Sequence, residues 1–401
     1  MIPAREVSEV VIVDAVRTPM GKGRPGGALA NVHPVDLLAQ TLAGLLGRHD
    51  LDPGTVDDVL IGCVSQVGEQ SATPGRMAWL AAGLPAHVPA TTIDRKCGSG
   101  QQAVHFAAQA IMAGCYDIAV AGGVESMSRV RMGSARMDAD PFGAGVRERF
   151  APGLVPQGVA AELVAARWKL DRDELDEYAV RSHRLAAAAR DAGSFAREIV
   201  PIATPEGTVT DDETIRPGST VEQLAALDPA FRSDTMTERF PEIGWHITAG
   251  NSSQITDGAG ALLLMSAAKC EQLGLIPRAR IRAMHVCGDD PLLMLTAPIP
   301  ATRGILGRTG LTLDDIDHIE LNEAFASVPL AWVAEFGVDG ADTAKLNPRG
   351  GAIALGHPLG ASGARLMTTM LTALEDNRQR YGLQLMCEAG GMANATIIER
   401  L

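Results

Sequence analysis

The amino-acid sequence predicts an α/β protein built from two similar halves, with a helical insertion inside the first. Three observations carry this: apolar runs with strand and helix spacing alternate along the chain, a pattern near Gly47 returns near Gly307, and the alternation stops between about 129 and 248. Val10–Val13 is a short β-branched run, Pro34–Leu46 has helical spacing, Val59–Val64 is apolar, Gln101–Ala113 is helical and Ile118–Ala121 reads as another short strand. That rhythm predicts a mainly parallel sheet covered by helices. From Arg129 to His246, Gly, Pro, Met and charged residues dominate, and two helices, Val159–Lys169 and Arg172–Ala192, follow one another without a strand. Asp171 with Glu174 three residues on marks the start of the second, and Gly193 its stop. After Thr248 strand-like runs return at Ala261–Met265 and Ala279–Ala283.

Gly47-Arg48, Leu51, Val56-Asp57 and Val59 reappear at identical spacing as Gly307-Arg308, Leu311, Ile316-Asp317 and Ile319. Further on, Ser99-Gly100 pairs with Ser362-Gly363 and Ala121-Gly122-Gly123 with Ala389-Gly390-Gly391, in the same order with slowly growing spacers. Ordered matches of this kind are the mark of duplication. The expected division is a first half of residues 1–128 completed by 249–275, an insertion of 129–248, and a second half of 276–401.

The 401 residues, 46% hydrophobic and 21% charged, are enough for a sizeable core. A net charge of −13 argues against a nucleic-acid partner, because such a surface repels phosphate backbones. No apolar run nears the roughly 18 residues that would cross a bilayer. The N-terminus lacks the basic region and long apolar stretch of a signal peptide, so a cytoplasmic location is expected. Six cysteines, at 63, 97, 115, 270, 287 and 387, are scattered without a CxxC pair. This argues against structural zinc or a disulfide framework and leaves a nucleophile as the natural role for any working cysteine.

Cys97-Gly98-Ser99-Gly100-Gln101-Gln102-Ala103 contains a G-x-G-x-x-A pattern. A dinucleotide site also needs an acid at the far end of the next strand, and Asp117 lies at the wrong end of Ile118–Ala121. What the turn offers instead is Cys97 at a helix start, where backbone N–H groups and the helix dipole favour a thiolate. Cysteines 63, 115, 270 and 287 lack the flanking glycines and read as small buried hydrophobes. His357 stands in the glycine-dense loop Gly350–Gly363, in the half-repeat that matches the Cys97 turn, so pseudo-symmetry brings thiol and imidazole to the centre as a cysteine–histidine pair. Cys387, followed by Gly390 and Gly391, and Asn322 before Glu323 complete the candidate set.

Cys97-Gly-Ser-Gly, Ala121-Gly-Gly-Val-Glu125-Ser-Met, Thr248-Ala-Gly-Asn-Ser-Ser253, Asn322-Glu-Ala-Phe, Gly350-Gly-Ala-Ile-Ala-Leu-Gly-His357-Pro and Cys387 together resemble the thiolases, acetyl-CoA acetyltransferases and 3-ketoacyl-CoA thiolases. The resemblance runs from Val11 to Glu399. It implies two βαβαβαββ halves in a five-layered α-β-α-β-α core, a loop domain that holds coenzyme A, and a homodimer or homotetramer. It implies cleavage of a 3-ketoacyl-CoA by free CoA, with coenzyme A as a substrate and neither a cofactor nor a metal. By the same resemblance Cys97 is the acylated nucleophile, His357 its base and Cys387 the second acid/base. Asn322 orients a water, and the N–H groups of Cys97 and Ala389 form an oxyanion hole. Arg216, Phe231, Ala249, Ser253, Ala324 and Phe325 match positions that touch substrate or coenzyme A.

Two departures stand out: Ala389 replaces a family glycine, and Pro156-Gln157 replaces the His-Met of short-chain enzymes. With the charged segment Arg232–Ile247, which contains Phe240, Pro241 and Trp245, the second departure predicts a preference for acyl groups larger than acetoacetyl. The alternatives are a ketoacyl synthase-type condensing enzyme, against which Cys387 counts, and a catalytically silent lipid or CoA carrier, against which the intact Cys97, His357 and Cys387 count.

Overall fold

The computed structural model describes residues 8–338 and 340–401 of the chain; the first seven, which carry part of the argument about a leader, lie outside the described residues. The first half runs through β1 (Val10–Arg17), β2 (Gly21–Lys22), α1 (Pro34–Leu46), β3 (Asp58–Gly62), α2 (Pro74–Ala81), β4 (Ala90–Ile93), α3 (Ser99–Met112) and β5 (Ile118–Ser126). There follow α4 (Gly143–Arg149), α5 (Gln157–Trp168), α6 (Arg172–Asp191), a small hairpin of β6 (Ile202–Thr204) and β7 (Gly207–Val209), α7 (Val221–Ala225) and α8 (Asp234–Arg239). The chain then returns as β8 (Thr256–Ser266) and α9 (Ala267–Gln272). The second half comprises β9 (Ala279–Gly288), α10 (Pro298–Thr309), β10 (His318–Leu321), α11 (Ser327–Phe336), α12 (Ala352–Leu355), α13 (Ser362–Asp376), β11 (Tyr381–Glu388) and β12 (Met392–Arg400).

Strand order shows the duplication directly. The path β10-β11-β12-β9-β1-β8-β5-β3-β4 is two copies of one arrangement, joined antiparallel where Val11 faces Arg280 and Ile12 faces Ala279. Even the outer strand of the first half, β4 beside β3, has a counterpart in the parallel bridge between Ile319 and Leu346. The expectation of a mainly parallel sheet is corrected: only β3–β4, β3–β5 and β10–β11 run parallel, while the five pairings in the middle are antiparallel. The reason is that each half ends on two strands in succession, β5 then β8 and β11 then β12, and the last strand slots antiparallel beside the first. The two helices of the insertion follow one another without a strand, as expected, and the small hairpin β6–β7 comes after them.

Five layers result. α1 and α2 cover one outer face with Leu37, Leu38, Leu42 and Trp79, and α10 and α11 cover the other with Ile305 and Trp332. Between the two halves of the sheet lie α3 and α13, packed on each other through Ala103, Ala107, Ala364, Met367 and Leu371. Every residue of α13 from Ser362 to Leu374 is buried, which only a run of small and apolar side chains with few charges permits. In the insertion, α6 begins with the capping box Asp171/Glu174 read from the sequence, and α5 packs on α11 of the second half. Arg17, fully buried on β1, binds Glu198 at 2.6 Å and Asp212 through two bonds of 2.7 and 2.9 Å, fastening the insertion to the first half. Among the described residues no helix is long and apolar enough to cross a membrane.

At the centre the two halves meet backbone to backbone. The Gly360 carbonyl lies where three glycines of the first half leave room: a Cβ on Gly62, Gly100 or Gly123 would come within 2.8, 2.7 or 1.9 Å of it. Across the pseudo-dyad a Cβ on Gly363 would meet the backbone nitrogen of Gln101 at 2.2 Å. Backbone cannot step aside as a flexible side chain can, so Gly123→Ala is expected to lower stability by at least about 2–3 kcal/mol and to separate the halves locally. Gly307→Ala, on a helix with nothing within 4 Å of the new methyl, should raise stability by about 0.5–1 kcal/mol. Urea unfolding of both variants checks this; equal behaviour would show that the glycine contact carries no constraint.

Candidate active site

The turn before α3 carries Cys97. Lys96 takes a left-handed φ of 50° and Gly98 caps the helix, with Cys97 between them and 5% exposed. The backbone N–H groups of Cys97 itself and of Ala389 point at its sulfur. Cys387 sits at the end of β11, 1% exposed, where the Asn322 Nδ2 approaches its sulfur at 4.0 Å and the N–H groups of Cys387 and Ala324 also face it. The two thiols are close enough that the charge of Cys387 bears on Cys97. Thus Cys97, Cys387, Asn322, Ala324 and Ala389 gather around one point.

Burial, and not the helix start, sets the state of the nucleophile candidate. Removal from water pushes the Cys97 thiol well above its ordinary range, with the charges of Cys387 and Glu388 adding to this. Burial likewise pushes Cys387 up to about 12, opposed by the Asn322 amide. The expectation of a dipole-stabilised thiolate is therefore corrected: both groups are neutral thiols at neutral pH and need a base. His357, 4% exposed, can supply one. Its Nδ1 lies 2.6 Å from the Ser362 Oγ, whose single proton goes to the Pro358 carbonyl at 2.8 Å. The hydroxyl accepts from Nδ1–H, and the lone pair is left on Nε2, which has no protein partner. Leu359, two residues on, packs with Cys97 and Met386 in one apolar cluster, which brings the His357 loop to the Cys97 turn.

The residues expected at coenzyme A divide into two groups. Ser253 donates its N–H to the Ala324 carbonyl at 2.9 Å and Ser252 bridges Phe325, so 251–253 and 324–326 form a short paired segment. Phe325 meets Phe231 edge-on at 5.9 Å, and the Phe231 ring lies on Gly158, where a Cβ would be 2.1 Å away. Ala249 is exposed nearby in sequence. Arg216 is exposed, with its Nη2 donating to Gln254 at 3.1 Å and its N–H to the His183 ring.

Three buried glutamates near the site were given no role by the sequence reading. Glu125 accepts from the N–H groups of Val64, Ser65 and Gly360 and from the Gln70 amide, tying β5 to the His357 loop. Glu323 accepts from Tyr178, Ser182, Asn347 and the Ile353 N–H, fixing the Asn322 turn to α6 and to the loop before His357. Glu388, next to Cys387, has no partner for either oxygen. A glutamate inside an apolar or small-residue run was the available signal. Two of the cysteines expected to be buried hydrophobes are not: Cys115 is exposed and Cys287 half-buried. Ala389 is not among the residues with positive φ, so its methyl sits on unstrained backbone.

Comparison with known proteins gives a consistent result. Residues 10–268 match the family model for the thiolase N-terminal domain and residues 275–400 that for the thiolase C-terminal domain. The chain is 49% identical to the steroid 3-ketoacyl-CoA thiolase FadA6 of Mycobacterium tuberculosis, over 98% of this chain and 95% of that one. It is 44% identical to a 3-ketoacyl-CoA thiolase of Pseudoalteromonas translucida, over 98% of each. The crystal structure of the Bacillus anthracis acetyl-CoA acetyltransferase superposes with a TM-score of 0.87 at 37% identity, covering 99% of this chain and 100% of that one.

Burial also keeps three histidines neutral: His105 and His357 are pushed down to about 3 and His183 to about 4, with neighbouring cations adding to each. These folded-state values lie below the ordinary imidazole value of about 6.5, so between the two the unfolded chain binds more protons than the folded one. The contribution of these histidines to stability should therefore be constant above pH 7 and fall as pH drops from about 6.5 towards 4, by up to about 1.4 kcal/mol per pH unit for each histidine. His105→Gln, on α3 away from the thiols' turn, should make that slope shallower in urea titrations at pH 5–7. A slope that His105→Gln leaves unchanged would remove this histidine from the account.

Proposed function

The chain belongs to the thiolase family and is an acyltransferase acting on acyl-CoA and CoA, and on that premise we propose that it cleaves 3-ketoacyl-CoA esters larger than acetoacetyl-CoA through an acyl thioester on Cys97. The observation that supports this most is the convergence on one sulfur: the N–H groups of Cys97 and Ala389 both face the Cys97 Sγ, beside a second buried thiol.

In this reading His357 Nε2 takes the Cys97 proton as the sulfur attacks the 3-keto carbon. The tetrahedral oxyanion is held by the N–H groups of Cys97 and Ala389, an arrangement in which each donor is worth about 10²–10³ in rate. The C2–C3 bond then breaks, leaving the acyl group on Cys97 and an acetyl-CoA enolate, which takes a proton from Cys387. The Asn322 amide beside Cys387 stabilises the thiolate so formed and, through an ordered water, the enolate oxygen. Free CoA gives its thiol proton to the Cys387 thiolate and attacks acyl-Cys97, releasing the shortened acyl-CoA, while the Cys97 sulfur takes its proton back from His357 and both thiols and the neutral imidazole are restored. No group beyond these side chains and CoA is needed. Arg216 suits the nucleotide end of coenzyme A, being an exposed cation, while Phe231, Ala249, Ser253, Ala324 and Phe325 line the path to the thiols.

A homodimer or homotetramer is part of the proposal. β4 is the terminal strand of the sheet path, and the helices that flank it expose Met77, Leu80 and Phe106, an apolar edge suited to a second copy of the chain. A cytoplasmic location suits six free thiols.

Cys97→Ala should abolish covalent acetylation by acetyl-CoA, read by mass spectrometry, and all thiolysis. Cys387→Ser should still accept the acetyl group but lose exchange of the acetyl methyl protons, since a hydroxyl is a far poorer base than a thiolate. Acyl-enzyme persisting without Cys97, or normal exchange without Cys387, would remove the corresponding assignment.

Substrate size has its own test. Trp245 is 7% exposed, and the N–H groups of His246 and Ile247 beside it donate to Glu162 on α5 at 2.9 and 2.7 Å, so this segment packs on α5 and does not float in solvent. With Pro156-Gln157 in place of His-Met, kcat/KM is expected to rise from acetoacetyl-CoA over several added carbons, each methylene in apolar contact contributing about 0.8 kcal/mol. A maximum at the four-carbon substrate would return the protein to the short-chain acetyltransferases.

A further inference from the structure

One acid in the site takes no part in the reaction as described. Glu388 ends β11 directly after Cys387, is fully buried, and has no hydrogen-bond partner for either oxygen. Its carboxyl group lies on Gly98, the residue after Cys97: a Cβ there would be 1.7 Å from Oε1 and 2.5 Å from Cδ. Glu388 thus fills the space a side chain at 98 would take, beneath the turn that holds the nucleophile. Glu125 and Glu323, equally buried, each accept four hydrogen bonds, as structural carboxylates do. Glu388 accepts none, and a carboxylate so placed is stable only as the neutral acid. Burial pushes it up to about 8, with Arg95 the cation that opposes the shift. The titratable and charged groups around it are Arg95 and Cys97 of the turn before α3, Cys387 on its own strand and Cys287 on β9; its charge raises all three thiols.

We propose that Glu388 is a positioning residue for the nucleophile: as a neutral acid it supports the Cys97 turn without opposing thiolate formation, and once ionised it holds Cys97 as a thiol. Reactivity of Cys97 then levels off on the alkaline side, where an isolated thiol would go on gaining. The proposal rests on the reading of Cys97 as the nucleophile.

The test is the rate of carbamidomethylation at Cys97 by iodoacetamide, followed at the peptide level by mass spectrometry from pH 6.5 to 10, in the wild type and in Glu388→Gln. In the wild type the logarithm of the rate should climb with pH and bend near pH 8. In Glu388→Gln the bend should vanish, so that the variant-to-wild-type ratio goes from about one at pH 6.5 to about fivefold or more at pH 9.5, as expected when a like charge is removed from beside a thiolate. Glu388→Asp, which keeps an ionisable group, should keep the bend. A ratio constant across the range would overturn the proposal, as would a bend that survives in Glu388→Gln. If glutamine lowers the melting temperature too far for the assay, Glu388→Met keeps the stem without the proton and is read the same way. No acyl-CoA enters this assay, so failure of Cys97 to become acetylated, which would sink the functional reading, is a separate result from a missing bend.

Discussion

The arrangement depends on one close approach, that of the Gly360 carbonyl to Gly62, Gly100 and Gly123. It sets how near the N-terminus of α13 comes to that of α3, and the candidate catalytic groups lie just outside those two helices. Cys97 precedes α3 by two residues, His357 precedes α13 by five, and the β11–β12 turn with Cys387 and Ala389 closes the third side. A side chain at any of the three glycines would push the halves apart. Reacting groups carried on separate turns tolerate little displacement, because misplacement of about 1 Å can cost 10²-fold in rate. Glu125 reinforces the contact by accepting the Gly360 N–H while it binds Val64 and Ser65.

Within that frame desolvation outweighs every local field. The dipole at the start of α3 is worth at most about 2 kcal/mol to a thiolate, whereas full burial can shift a titratable group by several pKa units. The outcome is two thiols and an imidazole that are all neutral, which lets the site exist without an uncompensated charge. In the proposed reaction, proton transfer from Cys97 to His357 then creates an ion pair only when the attacking sulfur is becoming a neutral thioether-like centre and the developing charge is passing to the substrate oxygen. The N–H groups of Cys97 and Ala389 are already in place for that moment, and fixed donors need no reorganisation to act.

Much of this was legible in the sequence because duplication, glycine runs and reactive residues coincide in it. Helix α1 runs over the residues that helical spacing gave, Pro34–Leu46, and the Asp171/Glu174 box opens α6 as read. Strand direction was not legible: the run Ala261–Met265 looks the same whether β8 pairs parallel or antiparallel with its neighbours, and only the fold reveals that it slots between β1 and β5. Strand ends were extended as well, since Val10–Val13 continues through the polar Asp14 and Arg17, which are buried by ion pairs that lie far away in sequence. The state of Cys97 was misread for a related reason. A helix start is local and visible in sequence, but burial comes from Met386, Leu359 and Leu366, which are remote.

The glutamates show how tertiary partners decide the meaning of one residue type. All three lie in small or apolar surroundings, at Gly123-Val124-Glu125, Asn322-Glu323-Ala324 and Cys387-Glu388-Ala389, and nothing in those tripeptides separates them. Partners do. Glu323 reaches Tyr178 and Ser182 on α6, so the position of Asn322, one residue earlier, depends on how the insertion docks on the second half. The same α6 presents His183 to the backbone of Arg216. Helix α6 therefore touches both the Arg216 segment and the Asn322 turn, through two consecutive hydrogen-bonding residues, His183 and Ser182. A fully satisfied buried carboxylate makes the contact at Glu323 rigid, because breaking any one of its hydrogen bonds would leave a polar group unpaired in the core.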